Sequence, residues 1–241
     1  MKKIISGLLL AVSSLAACAQ SFTHDEFTTK DGKPLSIYFV KHASLIIKYD
    51  NKLIYVDPVT MFADFSKEPK ADLILVTHEH YDHLDTLAIK QLEKPDTKII
   101  LDPASQKMLG RGFAMQHNGK LTIVDAVTLQ AVPAYNVTTE HIEWHPKDRG
   151  DNGYVLTIGG TKIYIAGDTE PIFEMALLKD IDIAFLPVNQ PYTMTVEQAV
   201  AAAKVIKPKI LYPYHFGETN VQEIVPQLEG TGIEVRIRAL E

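Results

Sequence analysis

"DLILVTHEHYDHLD", residues 72–85, sets an apolar run directly against a cluster holding three of the chain's nine histidines. Leu73 to Thr77 read as a buried strand, and helical periodicity resumes near Leu84, so the polar cluster falls on a strand-to-helix loop. Ligand sites gather at the carboxyl ends of strands in such layouts. A metal ion needs several imidazoles or carboxylates converging on one point, and a tight loop can turn alternate side chains inward. His78 and His80 can share one ion, and Asp82 and His83 reach a second. The metalloprotease pattern H-E-x-x-H is excluded, because Asp82 stands where its second histidine belongs. A solvated loop or a helix cap would account for Asp82 or Asp85 singly, but not for the histidine spacing.

The rest of the chain reads as an ordinary globular protein: 241 residues, 46% apolar and 22% charged. Its formal charge is −6, and −8 without Lys2 and Lys3, since 22 basic side chains then face 30 acidic ones. That sign, with no basic stripe, argues against a nucleic-acid partner; the expected partner, from the metal-site reading, is a small-molecule substrate. Oligomeric state is not readable. Residues 1–20, "MKKIISGLLLAVSSLAACAQ", have the basic, apolar and small-residue order of an export signal and are short for a membrane span. "LAAC", residues 15–18, resembles the bacterial lipobox, which would make Cys18 a lipidated first residue. A plain secretory signal cut near Ala17 or Ala19 is the alternative. Either reading exports residues 21–241 as one domain. The lipid-anchored reading places it in a bacterial cell envelope, touching the membrane only through Cys18. Cys18 is also the only cysteine, so no intrachain disulfide can form.

Strand signals recur at 36–40, 43–49, 52–57, 72–77, 98–102, 121–125, 153–158, 162–168, 182–187, 209–214 and 234–238. Helical periodicity appears around 84–94, 103–110, 171–179, 195–206 and 219–228, with Thr195 placed to cap the fourth helix. A meander precedes strand-helix alternation, and the same order then repeats. Two such halves, each a sheet with helices on one face, bury their bare faces by stacking. The expected fold is α/β, a four-layer αββα sandwich.

The motif H-x-H-x-D-H after an apolar strand resembles the signature of the metallo-β-lactamase superfamily, with His78, His80, Asp82 and His83 in its four positions. "KHASLIIKYDNKLIYVDPV" and "HYDHLD" look like the branch that includes ascorbate-6-phosphate lactonase-like proteins and N-acylphosphatidylethanolamine phospholipase D. By the same resemblance "IAGDTE" supplies Asp168 as a carboxylate bridging two metals, and "YPYHFGE" supplies the terminal ligand His215. One position departs from the pattern: where the superfamily has a further histidine at a strand end, "AVPAYN" ends in Asn136. The nearby "HIEWHPKDRGDNGY" offers His141 and His145, and the first site is completed either by His145 or, more loosely, by Asn136. His42 and Asp57 are read either as packing and turn residues or as groups near the metals. Trp144 and Tyr135 are read as pocket walls or loop packing, and His24 and His117 as surface residues.

The resemblance implies two divalent ions per chain, zinc for an imidazole-rich set, with manganese or iron as alternatives. Asp82 and Asp168 would orient a water and accept its proton. The implied activity is hydrolysis of a lactone, ester, amide or phosphodiester. The competing classes are a redox protein on the same scaffold and a metal-stabilised binding protein without turnover. The redox class is disfavoured because related flavodiiron scaffolds carry a glutamate that would have to replace His80.

Overall fold

Alternation along the strands decides where the layers form. In Ser44–Tyr49 the side chains of Leu45, Ile47 and Tyr49 enter one apolar cluster and Ile46 another; in Lys52–Val56, Ile54 and Val56 face the first and Tyr55 the second. A strand that buries both faces must lie in the middle of a layered structure. The computed structural model describes residues 20–124 and 126–241, so Cys18 and nearly all of the expected leader lie outside the described residues.

Among the described residues two seven-stranded sheets form, each with its strands in chain order. The first contains β1 (Thr23–Thr28), β2 (Pro34–Lys41), β3 (Ser44–Tyr49), β4 (Lys52–Val56), β5 (Leu73–Leu75), β6 (Lys98–Leu101) and β7 (Phe113–Ala114). The second contains β8 (Lys120–Val124), β9 (Val127–Pro133), β10 (Asn152–Ile158), β11 (Thr161–Ile165), β12 (Ile183–Pro187), β13 (Ile210–Tyr214) and β14 (Glu234–Val235). In each sheet the first four strands pair antiparallel and the remaining ones parallel. The expected repeat of meander and alternation is therefore present, as is the αββα sandwich.

The helices cover the outer faces. In α1 (Thr86–Leu92), Ala88, Ile89 and Leu92 join the cluster containing Ile46, Tyr55 and Ile74. In α3 (Val196–Ile206), Ala199, Val200 and Ala203 pack with the second sheet. The Asp85 carboxylate caps α1 by accepting from the Leu87 and Ala88 amides, and Thr195 closes a capping box with Gln198 on α3. Each cap contributes about 1 kcal/mol.

Local chemistry corrects several expected boundaries. The strand before the motif ends at Leu75 rather than Thr77, and α1 starts at Thr86 rather than near Leu84. The helix expected over 171–179 is a 3-10 turn, Phe173–Leu177; that over 219–228 divides into a turn and a short helix, α4 (Ile224–Leu228). Three strands carry weak signals. β1 is a polar edge strand, β7 has two residues, and β9 alternates Val127, Leu129 and Ala131 with polar residues.

Candidate metal centre

Parallel strands of both sheets deliver their following residues to one edge. Asp57 follows β4, the motif loop follows β5, Asp168 follows β11 and His215 follows β13. His42 comes from the β2–β3 hairpin, and His145 from the long β9–β10 connection. Gly167 permits the approach: at φ +67° it lies so close that a Cβ there would stand 2.7 Å from the Asn152 carbonyl oxygen. His42, Asp57 and His215 also have positive φ, an arrangement that costs non-glycine residues about 1–3 kcal/mol each and clusters at functional sites. The amide of His215 donates to the His42 carbonyl at 3.2 Å, tying two of these strained turns together.

Three overlapping groups result, each with its potential ligand atoms within 4.8 Å of one another. His78, His80 and His145 form the first; His42, Asp82, His83 and His215 form the second; Asp168 joins His78 and His83. Asp168 Oδ2 lies 3.5 Å from His145 Nε2, 3.9 Å from His78 Nε2 and 3.2 Å from His215 Nε2, while its Oδ1 lies 3.5 Å from His83 Nε2. One carboxylate thus reaches both histidine groups. Asp82 Oδ2 lies 3.7 Å from His215 Nε2 and 3.2 Å from His42 Nε2.

The imidazoles are held from behind. The Asp57 carboxylate, fully buried, accepts from the Thr77 amide at 2.8 Å, the Thr77 hydroxyl at 2.7 Å and His83 Nδ1 at 2.9 Å. Donation from Nδ1 leaves His83 Nε2 facing the centre. Asp151 Oδ2 stands 3.2 Å from His145 Nδ1. Asn136 Oδ1, the amide atom that could ligate, is buried without a hydrogen-bond partner; Nδ2 donates to the carbonyls of His141 and Tyr192, and the backbone N–H donates to the His145 carbonyl. Asn136 therefore anchors the loop that presents His145.

The charges divide the same residues. Burial first, then neighbouring His83, holds His78 well below the usual imidazole range, and burial followed by the Arg149 charge brings His80 down to about 4. Burial opposes charge on His83 and His215, but Asp168 outweighs it, raising His83 well above its ordinary value and His215 to about 9. Asp168 and Asp82 are themselves held well below the carboxylate range, because the facing imidazoles overcome burial. Positive charge on these two imidazoles would offset the two carboxylates. A divalent cation would meet the same need. The buried His83 Nε2, His215 Nε2 and Asp168 Oδ1 have no hydrogen-bond partner, as expected of donor atoms reserved for an ion. The donor set of imidazoles plus carboxylates fits zinc and neighbouring transition metals.

All seven residues expected from the sequence, His78, His80, Asp82, His83, His145, Asp168 and His215, meet here. His42 and Asp57, which the sequence leaves open, stand beside them. His141 is outside the groups and faces Glu170 at 3.3 Å. Tyr135 is buried and hydrogen-bonds Glu174, so it packs the loop; Trp144 stays partly exposed against Tyr192, with ring centroids 4.8 Å apart. His117 is half-buried rather than on the surface, bonded to the Asp151 carbonyl. Arg149 and Asp151 carry no sequence signal of their own in "KDRGD".

Residues 36–215 match the model of the β-lactamase superfamily domain. A Nanoarchaeum equitans protein described as a metal-dependent hydrolase is 31% identical over 212 residues, covering 83% of this chain and 94% of its own. A Thermococcus kodakarensis protein of the same description is 32% identical over 201 residues, 76% of this chain and 84% of the relative. Among solved structures, a candidate metal-dependent hydrolase from Parabacteroides distasonis superposes with a TM-score of 0.90 at 55% identity, covering 92% of this chain and all (100%) of that one. A metallo hydrolase from Ignicoccus hospitalis shares the fold with a TM-score of 0.71 at 22% identity, over 86% of this chain and 95% of that one.

Proposed function

The chain belongs to the metallo-β-lactamase superfamily and is a metal-dependent hydrolase, and from that premise we propose that it cleaves a lactone, ester, amide or phosphodiester with water as nucleophile, at a centre taking two divalent ions. His78, His80 and His145 would hold one ion and Asp82, His83 and His215 the other, with Asp168 shared. The observation that carries this reading is the reach of the Asp168 carboxylate, whose oxygens stand 3.2–3.9 Å from imidazole nitrogens of both groups. Bound divalent ions supply Lewis acidity that polarises the substrate oxygen and acidifies a water. Zinc suits the imidazole-rich set best.

The chain's own residues do the remaining work. Asp82 is the solvent-reachable carboxylate, its side chain 21% exposed against 3% for Asp168, so it is the group that orients the attacking water and takes its proton. The proton-accepting Oδ2 of Asp82 is steadied by His42 at 3.2 Å. Asp57 and Asp151 fix the rings of His83 and His145 from behind. Trp144 and Tyr192 stand on the loops beside His145 and form an apolar wall for the substrate. Residues 1–20 export the enzyme, and a lipid on Cys18 holds it at the cell envelope.

Metal analysis combined with a substrate panel tests the proposal. Full-length protein stripped with chelator should lose hydrolysis of its responsive substrate among lactones, phosphodiesters and β-lactams. Zinc should restore it as occupancy approaches two ions per chain. Turnover that survives chelation, or saturation at a single ion, would count against the reading. Cys18→Ser should move the protein from the membrane fraction to the soluble one, and continued pelleting would sink the anchor.

A further inference from the structure

The chain enters its folded domain beside the metal centre. Gln20 is fixed on the 3-10 turn Phe65–Lys67, between the two residues that cap it: its backbone amide donates to Glu68 Oε1 at 3.0 Å and its side-chain Nε2 to the Asp64 carbonyl at 2.9 Å. Phe22 follows and packs against the outer apolar cluster of the first sheet. β1 then starts at the edge that carries the centre, with Thr23 paired to Phe39, three residues before His42. Asp64 itself stands seven residues after Asp57, the carboxylate behind His83. Between them Phe62 lies against the His42 ring, with centroids 5.3 Å apart.

The surface beside this entry point is apolar where it is most exposed. Met61 is 64% exposed, Tyr81 76% and Leu87 53%. Asp85 gathers the first and the last: one of its carboxylate oxygens accepts from the Thr60 amide at 2.7 Å, next to Met61, and the other from the Leu87 amide at 2.8 Å. Tyr81 sits in the motif loop between His80 and Asp82. Asp64 pairs with Lys67 at 3.0 Å, so these two exposed charges on the turn cancel. Single exposed apolar side chains are ordinary, whereas several on one edge mark a surface with an apolar partner.

Cys18 lies two residues before Gln20, and two residues of chain reach at most about 7 Å. A lipid on Cys18 would therefore bring the bilayer to the side of the domain that holds Gln20. The opposite edge is basic, with Lys30 and Lys209 both paired to Asp182 and Lys204 exposed in the last turn of α3. Anionic lipids attract such charges. The six residues of β1 set that edge about 20 Å from Gln20, further than the short tether reaches. We propose that the surface of Met61, Tyr81 and Leu87 docks on the lipid bilayer, so that the metal centre opens beside the membrane, an orientation that rests on the lipid-anchored reading above.

The test uses the full chain, acylated in a bacterial host and reconstituted into vesicles of phosphatidylcholine and phosphatidylglycerol. An acylated Cys18 has no free thiol, so a cysteine introduced elsewhere is the sole site for a fluorescent label. Met61→Cys and Leu87→Cys should place their labels about 5–10 Å into the headgroup boundary, the depth of interfacial apolar faces, and brominated lipids should quench them. The label of Lys204→Cys, on the opposite edge, should stay unquenched. Adding Met61→Ser and Tyr81→Ser should release the face, so that the Leu87→Cys label loses its quenching while the protein still pellets with the vesicles. Quenching at position 204 in place of 61 and 87 would put the basic edge on the membrane and overturn the proposal. Labels unquenched at all three positions, in protein that pellets, would overturn it as well. Mass spectrometry of the mature wild-type chain separates the two kinds of failure: a chain without an acyl group on Cys18 removes the anchor and the docking with it, whereas an acylated chain with unquenched labels removes the docking alone.

Discussion

Asp57→Asn is the smallest change that removes the support behind His83 without altering shape. The carboxylate is fully buried and accepts three hydrogen bonds, from the Thr77 amide, the Thr77 hydroxyl and His83 Nδ1. An asparagine has one acceptor oxygen and one donor nitrogen to place on those positions. With its oxygen toward His83, its NH2 meets the Thr77 N–H. With its NH2 toward His83, the ring must carry its hydrogen on Nε2, where a metal ligand needs a lone pair. The first arrangement leaves a buried N–H unsatisfied, at about 1–3 kcal/mol, and the second forfeits a charge-assisted bond of about 1.5–3 kcal/mol. Unfolding of the metal-free variant should therefore come roughly 5–10 °C earlier, since about 1 kcal/mol moves the midpoint of a chain this size by 2–4 °C. Zinc affinity at the His83 position should fall about ten- to a hundredfold. Thermal unfolding by circular dichroism and chelator-competition titration measure the two effects. A variant that unfolds early but binds both ions with wild-type affinity would refute the claim that Asp57 sets the His83 tautomer.

Asp168→Ala should reduce metal content toward one ion or none, because its carboxylate is shared, whereas His215→Ala should weaken one position chiefly; full occupancy in both variants, by elemental analysis, would contradict the bridge. His145→Ala should cost as much zinc affinity as His78→Ala, while Asn136→Ala should keep metal content near normal and act through loop order, the opposite pattern showing that the amide is the ligand. Asp102, whose pKa burial raises to about 6, binds its proton more tightly in the folded chain, so the stability it contributes is fully present below about pH 4 and is lost as pH rises through about 6. Asp102→Asn, which keeps a cap on α2 (Pro103–Leu109), should therefore gain stability relative to wild type between pH 4 and 8, and a difference in midpoint that stays flat with pH would refute this.

The motif from His78 to His83 was legible because its ligands are neighbours in sequence, so spacing alone carries the geometry. Asp168 and His215 were legible through family resemblance and the strands before them. The strands ending before Asp57 and His215 were also visible as apolar runs. His145 was one of two candidates, since a loop without hydrophobic periodicity does not say which of its side chains turns inward; in the fold the His145 ring lies with those of His78 and His80, while a backbone bond joins it to Asn136, nine positions away. Arg149 and Asp151 lie in "KDRGD", whose composition is that of any solvated turn, and only the fold reveals that their charges are buried against imidazoles. β1 escaped notice because "THDEFT" has no apolar face to bury on its outer side, yet Asp25 within it pairs with Arg236 and Arg238 from the far end of the chain.

Asp168 is proposed to lie between two ions held by the two histidine groups. Diffraction from zinc-soaked crystals, with anomalous differences collected above and below the zinc edge, measures this directly. Two peaks per chain are expected, one bounded by His78, His80 and His145 and one by Asp82, His83 and His215, with the Asp168 carboxylate in contact with both. A single peak, or zinc found instead among Glu79, Asp102 and Asp151, whose carboxylate oxygens also lie within 4.8 Å of one another, would contradict it.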